Sequence, residues 1–207
     1  YARSSVIPDS YFDSFHTAKY QAKNPLQRFL IRRFMERLSD LFDETQPASS
    51  VLEIGCGEGF VSGRLSERHA GDSYVGVDLD AEDIANLKAK FPAVEAHQGS
   101  IYDLSFLGRD FDVVVCAEVM EHLDEPAAAL EQILARNPTR VVLSVPHEPW
   151  FCLSNFARGK NITRLGNDPE HVNLWGRRGF AKVLEPYLTI ERHETSYPWQ
   201  LVLARPK

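Results

Sequence analysis

Cysteine is scarce in this chain of 207 residues, with only Cys56, Cys116 and Cys152. An odd number, with no C-x-x-C pair and no histidine at zinc-finger spacing, excludes a disulfide framework and a structural zinc site, and fits a reducing, cytoplasmic compartment. Long apolar runs are missing too. The longest span about five residues, as at Val113 to Ala117, against the roughly twenty of a bilayer-crossing helix. The N-terminus lacks a secretory signal pattern, and there is no internal repeat or low-complexity tract. What is present is 43% hydrophobic, 25% charged and 11% aromatic residues. That is the make-up of a globular domain with one sizeable core, and it excludes disordered, collagen-like and disulfide-stapled classes.

The net charge of -6 is unevenly spread. Residues 1–40 carry seven basic against four acidic side chains, residues 41–149 seven against twenty, residues 150–182 six against two, and residues 183–207 three of each. Without a long basic stripe, the chain is not expected to bind nucleic acid. The two basic segments would attract an anionic substrate if they met over one site; otherwise they coat solvated helices.

Asn24-Pro25 is a helix start, an N-cap followed by proline at the first helical position, and Leu26, Phe29, Leu30, Phe34, Leu38 and Leu41 recur at helical spacing to about Phe42. Beyond Pro47, short apolar runs alternate with helical stretches in the order of a parallel sheet. Strands are expected at Ser50–Ile54, Tyr74–Val77, Val94–His97, Val113–Cys116 and Val141–Val145, with helices at Gly59–Arg68, Ala81–Lys90 and Pro126–Ala135. From Pro146 to Trp175 that rhythm stops, as it does in a lid or an insert with short helices of its own. A helix at Arg178–Leu184 and two antiparallel segments, Leu188–Glu194 and Gln200–Ala204, end the chain. The division is a single domain: an N-terminal helical cap (1–46), a core (47–146), an inserted cap (147–177), and a final helix with a β-hairpin (178–207).

The most informative stretch is Val51-Leu52-Glu53-Ile54-Gly55-Cys56-Gly57-Glu58-Gly59-Phe60, an apolar strand running through three alternate glycines into a helix. The glycines permit a tight turn and close backbone approach to a ligand, and the helix start offers unpaired N–H groups. The next strand ends in Val77-Asp78-Leu79-Asp80, where a carboxylate can accept hydrogen bonds from two ribose hydroxyls. The third glycine follows the second by two residues rather than three, which disfavours a dinucleotide dehydrogenase.

These residues resemble the class I S-adenosylmethionine-dependent methyltransferases, in particular the ubiquinone-pathway O-methyltransferases. The resemblance covers about residues 47–146. It includes Gly99-Ser100-Ile101-Tyr102-Asp103-Leu104, similar to the family's adenine-side loop, with Ser100 where the family often has an acid. It also includes Phe111 to Leu123, similar to its fourth strand and the loop after it. It implies a doubly wound, Rossmann-like α/β fold, a seven-stranded mostly parallel sheet with an antiparallel C-terminal strand. S-adenosylmethionine, leaving as S-adenosylhomocysteine, would lie across the strand ends against Glu53, Gly55, Gly57, Gly59, Asp78, Leu79, Ser100, Ile101 and Ala117.

Methyl transfer from a sulfonium needs alignment and exclusion of water, and a base only for a weakly acidic hydroxyl. His122, in the loop after the fourth strand, is the first candidate, with Glu118 to orient it if that loop makes a helical turn. His147 follows the fifth strand, and His171 lies in the insert. Glu118-x-x-Glu121-His122 with His171 and Trp175 also resembles the metal-ligand pattern of small-RNA 3′-terminal 2′-O-methyltransferases. The same string occurs in metal-free relatives, and the paired histidines of those RNA enzymes are absent, so no metal ligand is assigned. Cys56 and Cys116 read as small buried residues.

Arg28, Arg32, Arg33 and Arg37 on the first helix, with Arg158, Lys160 and Arg164 in the insert, would hold a carboxylate or phosphate of a small acceptor, or rest the cap on anionic lipid headgroups, if the two segments converge. Trp150, Phe151, Phe156 and Trp175 would wall the pocket. The acceptor expected is an oxygen of a small or lipid-like metabolite. A metal-dependent RNA 2′-O-methyltransferase is one alternative; the other is a binding module that holds the cofactor without turnover, against which the clustered histidines and acids point.

Overall fold

The computed structural model describes residues 7–16 and 24–207. A short helix α1 (Asp9–Asp13) precedes α2 (Pro25–Asp43). Asn24 caps α2 through its side-chain oxygen, which accepts from Leu26 N at 2.9 Å. Ile31, Phe34, Met35, Leu38, Leu41 and Phe42 form its buried stripe.

Next come β1 (Ser50–Ile54), α3 (Phe60–Arg68), β2 (Ser73–Asp78), α4 (Ala81–Lys90), β3 (Val94–Gln98), β4 (Val113–Ala117), α5 (Pro126–Leu134) and β5 (Arg140–Pro146). The chain closes with α6 (Trp150–Ala157), α7 (Arg177–Leu184), β6 (Leu188–Ser196) and β7 (Trp199–Pro206). The seven strands form one sheet in the order β3-β2-β1-β4-β5-β7-β6. β1 to β5 are parallel, and β7 is antiparallel to both of its neighbours, so the final hairpin completes the expected mixed sheet.

The chain travels outward from β1 to β3 and then returns to β4 on the other side. The crevice of such a sheet opens at the carboxyl ends of the strands where the order reverses, here β1 and β4. Their register sets Ile54 beside Cys116, so the glycine loop and the segment after β4 leave the sheet side by side. The central strands are buried on both faces, as parallel strands covered by helices must be. One core cluster contains α2 and α3 residues such as Met35, Leu38, Phe60 and Leu65; the other contains Leu130 and Ile133 of α5 and Phe180 and Leu184 of α7.

The insert contains α6 and a 3-10 turn at Ile162–Arg164. The buried Asn155 side chain donates to Gly166 O at 3.1 Å and closes this unit. Gly166 has φ +85° and touches the α6 backbone so closely that a Cβ would lie 1.9 Å from Cys152 O, so only glycine fits. Among the described residues, no helix is long and apolar enough to cross a membrane.

Candidate active site

Three cavities meet where β1 and β4 end. The first, about 420 Å³, is lined by Ile54, Gly55, Asp78, Leu79, Ile101, Tyr102, Glu118 and His122, among others. The second, about 70 Å³, lies on the other side of the glycine loop, between Glu53, Gly57, Glu58, Ala117, Glu118 and Trp199. The third, about 350 Å³, sits beneath α2 and α6, with Leu30, Ile31, Phe151, Arg158, Lys160, His171 and Trp199 in its walls, together with Glu118, Glu121 and His122. Glu118 borders all three. Its φ of +62° is a left-handed conformation uncommon for a side-chain-bearing residue and typical of functional strain. Its Oε1 accepts from the buried Ser144 hydroxyl at 3.0 Å.

The first two cavities fit the sulfonium nucleoside implied by the resemblance. Gly55 has φ +72°, and a Cβ there would come within 2.1 Å of Val119 Cγ2, so the tight turn depends on glycine. Asp78 accepts from Gly57 N at 2.7 Å and Asp80 N at 3.0 Å, which fixes its carboxylate at the rim where ribose hydroxyls would sit. The exposed Leu79 and the buried Ile101 supply apolar surface for an adenine. Ser100 lies in the Gly99–Asp103 loop, and its hydroxyl accepts from Tyr102 N at 3.2 Å. Glu53 is buried, and its Oε2 has no hydrogen-bond partner. Burial pushes its pKa up to about 8, with the neighbouring Ser62 opposing the rise and Asp78's charge adding to it. A buried carboxylate of this kind is favoured by a nearby cation, which an amino-acid ammonium group would supply.

The N-terminal segment closes the small-cavity end. Glu58 is buried and accepts from His16 N at 2.8 Å, its Oε2 lies 2.9 Å from His16 Nδ1, and Tyr11 donates its hydroxyl to Phe60 O at 2.7 Å.

In the third cavity the structure brings together two of the three candidate histidines. The His122 and His171 rings meet edge to face, with centroids 5.0 Å apart, and Phe151 lies 5.2 Å from His171. His122 Nδ1 is 2.9 Å from Glu170 O, and its Nε2 is 3.8 Å from Glu121 Oε1. The loop after β4 turns only from Met120 to His122, as a 3-10 turn that starts beyond Glu118. The insert therefore orients His122 from above, where a helical turn from Glu118 was expected to do so. Ligand atoms of Glu121, His122 and His171 lie within 4.8 Å of one another, so the alternative cation pattern is partly assembled. Trp175 of that pattern stacks on Phe180, at 5.4 Å, in the α7 core.

His147 does not line the third cavity. It sits towards α7, where burial and the charge of Arg177 lower its pKa. Of the four insert aromatics, Phe151 alone lines the cavity, and Trp150 and Phe156 are exposed. Arg28 and Arg32 are used elsewhere: Arg28 pairs with Asp13, and Arg32 with Asp9 at 2.7 Å, which ties α1 to α2. Arg33 and Arg37 lie on the outer face of α2, which leaves Arg158 and Lys160 as the cations lining the cavity, beside the acids Glu118, Glu121, Asp168 and Glu170. Burial pushes the Cys56 and Cys116 thiols far up, which removes both as nucleophiles.

Sequence reasoning missed Trp199 and Asn155 as cavity walls and the meeting of the three cavities at Glu118. The left-handed turn at Glu118 carries no composition signal. Trp199 reaches the site only through the antiparallel return of β7.

The family model described as a methyltransferase domain matches residues 26–187. A probable S-adenosylmethionine-dependent methyltransferase of Mycolicibacterium smegmatis is 29% identical over 104 residues, which covers 45% of this chain and 40% of that protein. The ubiquinone biosynthesis O-methyltransferase of Psychrobacter cryohalolentis is 29% identical over 151 residues, covering 66% of this chain and 53% of that protein. The chain thus spans about half or less of the length of these two relatives. The crystal structure of magnesium protoporphyrin IX methyltransferase from Synechocystis PCC 6803 with bound S-adenosylhomocysteine superposes with a TM-score of 0.70 at 18% identity, over 96% of this chain and 94% of that one. This last likeness is one of fold.

Proposed function

The chain belongs to the methyltransferase-domain family, and we propose that it moves a methyl group from S-adenosylmethionine to an oxygen of a small, lipid-like, anionic metabolite held beneath α2 and α6. When bound, the sulfonium supplies an electrophilic methyl whose leaving group departs as a neutral thioether without a proton. The observation that carries this reading is the meeting of a nucleoside-sized crevice and a separate 350 Å³ cavity at Glu118 and His122.

Asp78 and the glycine loop hold the ribose end, and Glu53 faces the ammonium end. Leu30, Ile31, Phe151 and Trp199 surround the body of the acceptor and exclude water, while Arg158 and Lys160 take its negative group. With Nδ1–H donated to the Glu170 carbonyl, His122 turns Nε2 outward as the lone pair that accepts the hydroxyl proton. The Glu121 carboxylate, 3.8 Å from Nε2, faces that proton once it is taken up.

Calorimetric titration with S-adenosylhomocysteine, with a chelator present, tests the premise. Micromolar binding by the native chain and a loss of about 100-fold in Asp78→Ala, the scale of two charge-assisted hydrogen bonds, are expected. The absence of binding by the native chain overturns the reading.

A further inference from the structure

An exposed apolar patch lies over the acceptor cavity. Among the described residues thirteen large apolar side chains are exposed, and five of them, Trp150, Leu153, Phe156, Ile162 and Leu165, fall within residues 150–165. Leu153 is 53%, Ile162 57% and Leu165 76% exposed. Helix α6 (WFCLSNFA) has no charged residue. A helix that is apolar nearly all round belongs in a core or against another apolar phase. Yet α6 turns only Phe151, Ser154 and Asn155 toward the cavity and leaves Trp150, Leu153 and Phe156 facing out.

The charge on this segment has one sign. Residues 150–165 contain Arg158, Lys160 and Arg164 and no acidic residue, in a chain whose net charge is -6. Arg158 and Lys160 stand at the edge between the patch and the cavity. An apolar face interleaved with cations, on a protein that is otherwise acidic, complements the anionic surface of a bilayer: aliphatic and indole groups enter the headgroup boundary while the cations meet phosphates.

We infer that the α6 segment and the turn after it dock the protein on anionic lipid membranes, with the mouth of the acceptor cavity against the bilayer. The inference deepens the acceptor reading above and rests on it for one point, that the acceptor is an amphiphile reached from the membrane. Docking itself depends only on the patch. The cavity then opens where such a molecule resides, and the acceptor's anionic group leaves the headgroup layer to meet Arg158 and Lys160.

Co-sedimentation of the chain with vesicles of phosphatidylcholine alone, or with about one-third phosphatidylglycerol, tests this. Each cation at the surface is worth about five-fold in partitioning, so the anionic vesicles are expected to bind on the order of 100-fold more tightly, an advantage lost by about 0.5 M salt. Trp150 fluorescence should shift to the blue and be quenched by brominated lipid, and Trp150→Phe should lose that quenching but still bind. The triple variant Leu153→Ser, Ile162→Ser, Leu165→Asn changes exposed side chains outside the cavity lining. It should lose vesicle binding at least ten-fold while its S-adenosylhomocysteine affinity stays native.

Equal binding to both vesicle types, native binding by the triple variant, or a dimer in vesicle-free solution that the triple variant abolishes each overturns the inference. Because vesicle binding is read without cofactor or acceptor, a native chain that docks but binds no S-adenosylhomocysteine sinks the proposed function and leaves the docking surface standing.

Discussion

The cofactor crevice and the acceptor cavity share Glu118 and His122, but they are held together by different means. The crevice is framed by backbone at the ends of adjacent parallel strands, with Gly55 N and Cys56 N both bonded to Val77 O and Asp78 fixed by Gly57 N. The cavity is framed by segments about fifty residues apart, joined by a few hydrogen bonds. His122 Nδ1 meets Glu170 O, Asn173 Nδ2 donates to Leu123 O at 2.6 Å, and Val172 N and Asn173 N both reach Glu121 O. The first region is built into the hydrogen bonds of the sheet itself. The second is a docked insert, and its stability can be changed without touching the sheet. Cofactor binding and acceptor handling should therefore separate under mutation.

The largest separation is expected from His122→Asn. The asparagine amide can still donate to the Glu170 carbonyl, but it has no basic lone pair. The rate of methyl transfer should fall by about 10²–10⁴-fold, the usual worth of a positioned general base, while S-adenosylhomocysteine affinity changes less than about threefold. Single-turnover kinetics with a labelled methyl donor, alongside calorimetry, reads both quantities. A parallel loss of rate and cofactor affinity would mean that His122 belongs to the crevice and that the comparison drawn above is wrong.

A smaller effect is expected from Asn173→Ala. Removing this amide leaves the buried Leu123 carbonyl without its 2.6 Å donor, a cost of about 1–3 kcal/mol charged against the docked state of the insert. The acceptor KM should rise about ten-fold, with kcat at saturation and S-adenosylhomocysteine affinity little changed. Hydrogen exchange should show faster opening of residues 150–175 and unchanged protection of β1 and β4. Equal loosening of the strands would show that insert and sheet form one cooperative unit.

The same division decides what could be read from the sequence. β1 and α4 begin and end where pattern and caps place them, because the signals are local: apolar strand residues, and Asp80 accepting from Glu82 N at 2.7 Å as an N-cap. The glycine loop and Asp78 are equally local, so the strand, turn and carboxylate that frame the crevice were legible, whereas Ser100 and Gly59 do not line its cavities. The acceptor cavity was not legible. Its hydrogen bonds join residues about fifty apart, and its arginines divide by which face of a helix or loop they occupy: Arg28 and Arg32 serve α1, whereas Arg158 reaches the cavity. His147 illustrates the limit well. Its place after β5 fixed its depth along the sheet correctly, but not the side to which the ring turns, and Arg177 and His193 lie on that side.

The smallest effect probes how the crevice holds charge. Glu53 carries a pKa near 8 in the folded chain, raised by burial from its ordinary 4.5. Between those values the folded protein holds a proton that the unfolded chain releases, so this residue makes stability fall as pH rises through that window. A bound ammonium reverses the preference: the ionised carboxylate is favoured and the proton leaves on binding. Affinity for S-adenosylhomocysteine should therefore rise with pH, on the order of ten-fold between pH 6.5 and 8, and level off above. Titrations in two buffers of different ionisation heat should count close to one proton released at the lower pH. Glu53→Gln, neutral throughout, should bind more weakly above pH 8, with an affinity flat across the range and no proton released. If native and variant share the same slope, the proton belongs to another group, and the ammonium is not held by Glu53.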